Sequence, residues 1–357
     1  MRKIFSVLVL FSLLFSILSC FASCDSKEEK KEYKTRSELI SYSHFNTVST
    51  IASYGDTSEE EFENYVKIAD ETLGYYHKLF DIYYEYAGVN NIKTINKNAG
   101  KNPVKVDKEL VDFLLYCKEL YTLTDKKTNV MLGSVLKIWH DIREEADADF
   151  GYLNPDKLPT DDELEEANLH TSIDSLIINS EECTVYISDP KASLDVGAIA
   201  KGYTVEILYN KLKVIGADSI ALNIGGNIRT IGLKPDGEMW KSGITNPDRD
   251  VENSIKCKLS IGESSIVTSG DYERFFIAGD KKYHHIIDPD TLMPAEYFAS
   301  VSIVTRESGL ADALSTALFC MSYDEGLKLI ESIGDVDVIW IYKDGTMKTT
   351  EGIILTE

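Results

Sequence analysis

The order of sequence patterns predicts an α+β fold, with largely antiparallel sheets and flanking helices. Helical spacing of apolar residues dominates the first part of the chain, strand signals dominate from Ser175 onward, and glycine-containing turns link several of those strands. No period of 20 to 50 residues runs through the chain, so a repeat architecture is not expected.

The elements follow in order. His44 to Tyr54 is β-branched and partly alternating, which predicts a first strand. Ser58 with Glu61 three residues on forms a capping box, and Phe62, Val66, Ala69, Leu73, Tyr76 and Phe80 continue at helical spacing. A second helix is predicted from Asp107 to Tyr121, where Cys117 falls in the stripe Leu110, Phe113, Leu114, Cys117, Leu120 and reads as core. A third apolar segment spans Val130 to Trp139. Between Asp141 and His170 the chain turns acidic and loses its core pattern, apart from a short helix signalled at Thr160 to Glu163. A solvated surface excursion is expected there. Strands are then predicted at Leu176 to Ile178, Thr184 to Ile187, Ser219 to Ile224, Ile228 to Leu233, Ile255 to Ile261, Tyr283 to Ile287, Val301 to Thr305 and Val336 to Tyr342. Helices interrupt them at Ile199 to Leu212 and Leu310 to Ile333.

The N-terminus carries Arg2 and Lys3, then an uncharged apolar stretch from Ile4 to Leu18, shorter than the roughly 20 residues a membrane span needs. Cys20 and Cys24 follow small residues, and a charged run from Asp25 to Lys34 comes next. This resembles a bacterial lipoprotein signal. It divides the chain into a signal peptide (1–23), a flexible tether (24–36) and a folded domain (37–357) that carries the acidic excursion 141–170. Cys24 is the preferred lipidation site and Cys20 the alternative. The folded part is then expected outside the cytoplasm, lipid-anchored to the bacterial cell membrane.

The formal charge of −22 argues against nucleic acid and anionic lipid as electrostatic partners. A phosphate-bearing ligand must therefore be held by local groups or by a metal. The remaining cysteines, Cys117, Cys183, Cys257 and Cys320, are widely spaced with no CxxC, so zinc is not supported.

Four segments combine turn residues with charge. In LDVGAIAKGY (Leu194 to Tyr203) an extended stretch ends at Asp195 and a helix begins near Ala198, a helix start able to cradle phosphate with Lys201 in its first turn. In ALNIGGNIRTIG (Ala221 to Gly232) the Gly225-Gly226-Asn227 run reads as a tight hairpin. In SGDYERFFIAGDKKYHHIIDPDTLMP (Ser269 to Pro294) a hairpin delivers His284 and His285 to opposite faces of its return strand, so at most one of them faces a given pocket. In ADALSTALFCM (Ala311 to Met321) Asp312 and Thr316 share one helical face, away from the apolar stripe. A carboxylate, a hydroxyl and a nearby carbonyl make an oxygen site suited to Mg²⁺. Each segment alone also fits an ordinary turn or helix start.

Together and in this order, DVGAIAKGY, NIGGNIR, SGDYERFF with HHIIDP, and ADALSTALF resemble the ApbE family of flavin transferases, over roughly residues 190 to 320. Thr128 to Gly133 with Trp139, and Phe45-Asn46-Thr47, extend the likeness more faintly into the N-terminal half. The resemblance implies a duplicated T-fold-like arrangement with FAD in an interdomain cleft. It implies a Mg²⁺-dependent enzyme that moves the FMN half of FAD onto a threonine of an acceptor flavoprotein, with AMP leaving. The metal ligands it implies are the Ala198 carbonyl, Asp312 and Thr316. The FAD contacts it implies are Asn129, Val130, Met131, Asp195, Lys201, His284, His285 and Ile286. His284 or Asp195 is the candidate general base by residue type and location. The alternatives are an FAD pyrophosphatase yielding FMN and AMP, and a lipoprotein that binds FAD without chemistry.

Overall fold

The computed structural model of the protein describes residues 34–42, 44–249, 251 and 253–356. The expected signal peptide, both candidate lipidation sites Cys20 and Cys24, and the tether as far as Tyr33 lie outside the described residues. One compact unit begins at Lys34 and runs through the rest of the described chain. No described helix is long and apolar enough to cross a membrane.

The elements in chain order are β1 (Thr35–Ser41), β2 (Ser49–Tyr54), α1 (Glu59–Phe80), α2 (Ile92–Lys97), β3 (Val104–Lys105), α3 (Lys108–Leu123), α4 (Gly133–Ala148), β4 (Tyr152–Leu153) and α5 (Asp161–Asn168). They continue with β5 (Leu176–Asn179), β6 (Thr184–Ile187), α6 (Ala200–Val214), β7 (Ile220–Ile224), β8 (Asn227–Ile231), β9 (Trp240–Thr245), β10 (Ile255–Ile261), β11 (Ser265–Gly270), β12 (Phe275–Ala278) and β13 (Lys281–His284). The last are β14 (Ser300–Thr305), α7 (Ser308–Phe319), α8 (Tyr323–Ile333), β15 (Asp337–Ile341), β16 (Met347–Thr349) and β17 (Ile354–Thr356).

An eight-stranded antiparallel sheet, ordered β1-β2-β7-β8-β11-β14-β15-β16, organises the fold. Alternation along its strands sends side chains to two different layers. Val267, Ile303 and Trp340 meet Leu314 and Leu318 of α7 and Ile330 of α8. Their neighbours Ile266, Ile339 and Ile341 turn the other way, against Trp240, Leu259 and Ile261 of the small sheet β17-β10-β9. At the other end, Ile51, Ile220, Leu222 and Ile231 bury against Phe62 and Ala69 of α1 and Leu208 and Leu212 of α6. Each half of the large sheet thus carries its own helix pair. The predicted α+β class with mainly antiparallel pairing holds; the parallel exceptions include the short β12·β4 pairing.

Three local expectations change. His44–Asn46 is a 3₁₀ turn in which Phe45 and Asn46 take left-handed φ of 55° and 52°, and the strand starts only at Ser49. Thr35 and Arg36, expected in the tether, pair with Tyr54 and Ser53 in β1·β2. The helix expected from Leu310 to Ile333 breaks after Phe319, because Ser322 and Glu325 form a new capping box that starts α8.

The acidic stretch 141–170 is also more than a solvated excursion. α4 continues through it to Ala148, and Ala146, Leu153 and Leu164 are buried against Trp139, Phe276 and Tyr283. Its acidic side chains are exposed, while Arg143 is half-buried. Cys117, Cys183, Cys257 and Cys320 are all free thiols.

Candidate active site

The site grows from the place where α6 and α7 start side by side. α7 is capped by Glu307, whose carboxylate accepts the Gly309 and Leu310 N–H groups while Tyr116 donates its hydroxyl to it. Glu206 of α6 accepts the Ser308 N–H at 3.0 Å and pairs with buried Arg229 at 3.1 Å. These bonds fix the first turn of α7. Asp312 follows one turn later, buried, and faces α6.

Gly202 makes that approach possible. A Cβ there would stand 2.2 Å from the Ser308 carbonyl oxygen and 2.6 Å from the Asp312 Cβ. With no side chain in the way, the Gly202 N–H donates to Asp312 Oδ2 at 2.8 Å. Gly202 is the third residue of α6, so its N–H is one of the first-turn donors that lack an intrahelical partner, and the Asp312 carboxylate satisfies it. Ala198 precedes the N-cap Ile199 and lies just outside the helix. Lys201 places Nζ 3.5 Å from Asp312 Oδ1 and 3.3 Å from Asn227 Oδ1. Asn227 opens β8 directly after the Gly225–Gly226 turn, whose φ values of 57° and 90° suit glycine. Thr316, half-buried, lies one turn beyond Asp312 on the same helical face.

The expected metal ligands Ala198, Asp312 and Thr316 lie on the turn before α6 and on one face of α7. A carboxylate, a backbone carbonyl and a hydroxyl are all oxygen donors, the kind a hard divalent cation takes.

A second wall is built by the turn before α6. The Asp195 N–H donates to the Val130 carbonyl at 2.8 Å, and Asn96 grips Leu194 from both sides, donating to its carbonyl at 2.9 Å and accepting its N–H at 2.7 Å. Asn129 is tied down as well: its Nδ2 donates to Thr171 and its Oδ1 accepts the Met131 N–H. Of the FAD contacts expected here, Val130 and Met131 bury their side chains in the core, so any contact they make comes through backbone. Ile286 is likewise a core side chain.

Asp195 is densely surrounded yet keeps some surface open to solvent, as a residue on a concave wall does. Burial raises its pKa; the Gly197 N–H, at 2.9 Å from Oδ1, and the charges of His140, Arg274 and Arg143 oppose that rise. His285 shares this setting. Burial first, then the Arg274 charge, His284 and the Arg143 charge, depress its pKa to about 3, so it is neutral. Tyr83, exposed, stands over His140 with ring centroids 5.2 Å apart.

The two adjacent histidines do diverge, as the strand geometry predicts. His284 turns inward, edge-on to Phe319 at 5.5 Å. Its Nε2 lies 2.8 Å from the Ala295 carbonyl and must donate, while Nδ1 accepts the Ile286 N–H at 3.2 Å. Both nitrogens are taken, and burial lowers its pKa. That corrects the expectation of His284 as a general base or a direct FAD ligand: it has no free nitrogen for a substrate proton. It borders a separate cleft of about 520 Å³ with Asp271, Lys282, Ala295 and Tyr342, which Asp195, Lys201, His285, Asp312 and Thr316 do not line. Asp271 pairs with Lys282 at 2.9 Å, and buried Asp288 with Lys127 at 2.8 Å, so both acids are scaffold.

Sequence reasoning singled out neither Arg143 nor His140. Continuing the helical period from Val135 and Trp139 into the acidic run would have put Arg143 one turn past Trp139.

Comparison with known proteins gives one consistent answer. A family model described as "ApbE family" matches residues 45–340. The chain is 31% identical over 278 residues to FAD:protein FMN transferase of Treponema pallidum, covering 74% of each chain. It is 28% identical over 256 residues to FAD:protein FMN transferase of Klebsiella pneumoniae, covering 71% of this chain and 76% of that one. Among solved structures, flavin transferase ApbE from Vibrio cholerae superposes with a TM-score of 0.71 at 26% identity, over 89% of this chain and 96% of that one. The ApbE protein of Thermotoga maritima shares the fold, with a TM-score of 0.74 at 24% identity, over 90% and 97% of the two chains.

Proposed function

The chain belongs to the ApbE family, and we propose that it is an FAD:protein FMN transferase that moves FMN from FAD onto a threonine hydroxyl of an acceptor flavoprotein. The observation that carries this reading is the bond from the Gly202 N–H to the buried Asp312 carboxylate, which holds Asp312 against the start of α6 beside Lys201.

Ala198, Asp312 and Thr316 would hold Mg²⁺, which supplies charge neutralisation for a diphosphate in a chain of net charge −22. The protein's own groups do the rest. Lys201 presents an ammonium to the phosphates, and Asn227 holds it in place. The threonine oxygen forms a new bond to the FMN phosphorus, the bridging P–O bond breaks, and AMP leaves with the bond's electron pair. The hydroxyl proton goes to a base. Asp195 is the better placed of the two expected candidates, since burial raises its pKa and both nitrogens of His284 are engaged.

Cys24, or Cys20, is read as the lipidated residue of an extracytoplasmic, membrane-anchored enzyme, a geometry that confines it to the same surface as a membrane-bound acceptor. Mass spectrometry of the mature N-terminus tests that part: an unmodified or internally cleaved N-terminus overturns it.

The test of the activity is incubation with FAD, Mg²⁺ and an acceptor domain, read as fluorescent flavin retained on the denatured acceptor. Free FMN and AMP with no labelled acceptor would indicate the pyrophosphatase instead, and unchanged FAD a storage role. Asp312→Asn keeps an acceptor for the Gly202 N–H but loses the charge. It should abolish Mg²⁺-dependent transfer with little change in melting temperature; a fully active variant would remove Asp312 from the metal site.

A further inference from the structure

Asp195 lies within electrostatic reach of two positive charges that the reaction as described does not use. Arg143 lies on α4, four residues after Trp139 and so on the same helical face. Trp139 stacks on Tyr283 with ring centroids 5.9 Å apart. His285 follows the last residue of β13 and is close enough to Arg143 to feel its charge, so α4 and the end of the hairpin bring the two together. Arg274 precedes β12 directly across from His285, whose N–H donates to the Arg274 carbonyl at 3.1 Å. The two guanidiniums, the imidazole and Asp195 thus form one cluster between α4, the hairpin and the turn before α6.

Arg229 and Arg249 each hold a glutamate, yet Arg143 and Arg274 form no ion pair among the described residues. This happens in a chain with 59 acidic and 37 basic side chains, where a carboxylate partner is easily supplied. Asp195 is close enough to feel both charges but spends Oδ1 on the Gly197 N–H. Burial and then the Arg274 charge lower the Arg143 pKa, against the opposing pull of Tyr83, Asp147 and Glu144, none of which closes an ion pair with it among the described residues. His285 is neutral and contributes no charge, and its Nδ1 is buried with no hydrogen-bond partner among the described residues. Arg274 is exposed and Arg143 partly so, which leaves both open to a ligand.

We propose that Arg143 and Arg274, backed by His285, form an oxyanion subsite that receives a phosphate of the dinucleotide or a carboxylate of the acceptor. Paired guanidinium forks match the planar oxygen pairs of either group. The inference rests on the transferase reading for the identity of the two reactants. Arg143 comes from α4, outside the motifs that carry the family resemblance, whereas Arg274 lies within one of them.

Two equilibrium measurements test it without turnover. The first titrates FAD and riboflavin, which carries no phosphate, by flavin fluorescence. The second follows the anisotropy of a labelled acceptor domain whose target threonine is replaced by alanine. Wild type is compared with the R143Q/R274Q double variant and with R143K/R274K, after thermal melts confirm folding. The glutamine pair should weaken one reactant about tenfold or more, with partial recovery in the lysine pair. Loss of FAD with riboflavin unchanged assigns the phosphate; loss of acceptor with FAD unchanged assigns the carboxylate. Unchanged affinity for both, or equal loss of FAD and riboflavin, overturns the subsite. A failed transferase reading shows itself separately, as absence of covalent flavin with the wild type.

Discussion

Replacing Gly202 by alanine tests the geometry on which the metal-binding reading depends. The new Cβ would sit 2.2 Å from the Ser308 carbonyl oxygen, 2.6 Å from the Asp312 Cβ and 2.9 Å from the Ser308 carbonyl carbon. Two of these are backbone atoms, so no side chain can swing away, and α6 and α7 must separate. Overpacking of this kind costs about 1–3 kcal/mol. Separation also strains the Gly202 N–H bond to the Asp312 carboxylate, a charge-assisted bond worth about 1.5–3 kcal/mol. Alanine in place of a helical glycine returns about 1 kcal/mol. The net loss is therefore about 1.5–5 kcal/mol by these terms. Urea unfolding reads the stability, and Mg²⁺-dependent flavinylation of an acceptor domain reads the site. Flavinylation should fall by more than tenfold at temperatures where the variant remains folded, because Asp312 moves away from the start of α6 and from Lys201. Gly262→Ala is the control: its Cβ would meet nothing nearer than a Leu233 methyl at 3.9 Å. If Gly202→Ala matches wild type in both measurements, the close helix contact is not what shapes the site.

Other outcomes follow from the same contacts. His284→Asn should cost about 2–4 kcal/mol of stability, through lost packing on Phe319 and the lost bond to Ala295, yet leave turnover per folded molecule within a few-fold; a hundredfold drop in kcat with an unchanged melt would restore it as the base. Lys127→Met strands Asp288 in the interior and should destabilise by about 3–5 kcal/mol in urea unfolding, and a neutral result would mean that Asp288 is not held by this pair. Stability should also fall as pH drops from about 7 toward about 5.5, because His284 and His285 are depressed mainly by burial and the unfolded chain takes up protons that the folded chain refuses. The slope approaches about 1.4 kcal/mol per pH unit for each such histidine. Asp195 and Glu307, raised by burial, act with the opposite sign at the acid end, so His285→Asn should flatten the histidine part of the curve, and an unchanged slope would refute it.

Much of the proposed site was readable in the sequence because its groups are local. Asp195 and Lys201 flank one helix start, and Asp312 and Thr316 share one helical face, whereas the part given to Ala198 came only from the family resemblance. The divergence of His284 and His285 was legible for the same reason. Which of them meets solvent was not, since that depends on the Ala295 carbonyl and Phe319, 11 and 35 positions away along the chain from His284. β1 was hidden for another reason: its exposed, polar sequence becomes a strand only through its pairing with β2. Arg143 was hidden by composition. A run of acids reads as solvated, and that is true of its outward faces, but helical periodicity does not stop where charge begins. Buried Val135, Trp139 and Ala146 carry the same helix through the boundary.

The distribution of charge connects these points. A chain of net −22 repels a dinucleotide and an acidic acceptor alike at long range. Screening at physiological salt confines that repulsion to about 8 Å, so what decides binding is the sign of the charge within the cleft. There the pattern reverses. Arg143 and Arg274 form no ion pair among the described residues, and Lys201 is held by an amide and by one carboxylate oxygen at the edge of bonding distance. Elsewhere lysines are neutralised at close range, as in Lys108 with Asp112 and Lys191 with Glu166. Unpaired cations beside a buried, Gly202-anchored carboxylate are unfavourable in the free protein. They become favourable once phosphate, cation and acceptor arrive together, which places the cost of assembling the site in the unliganded state and its return in the complex.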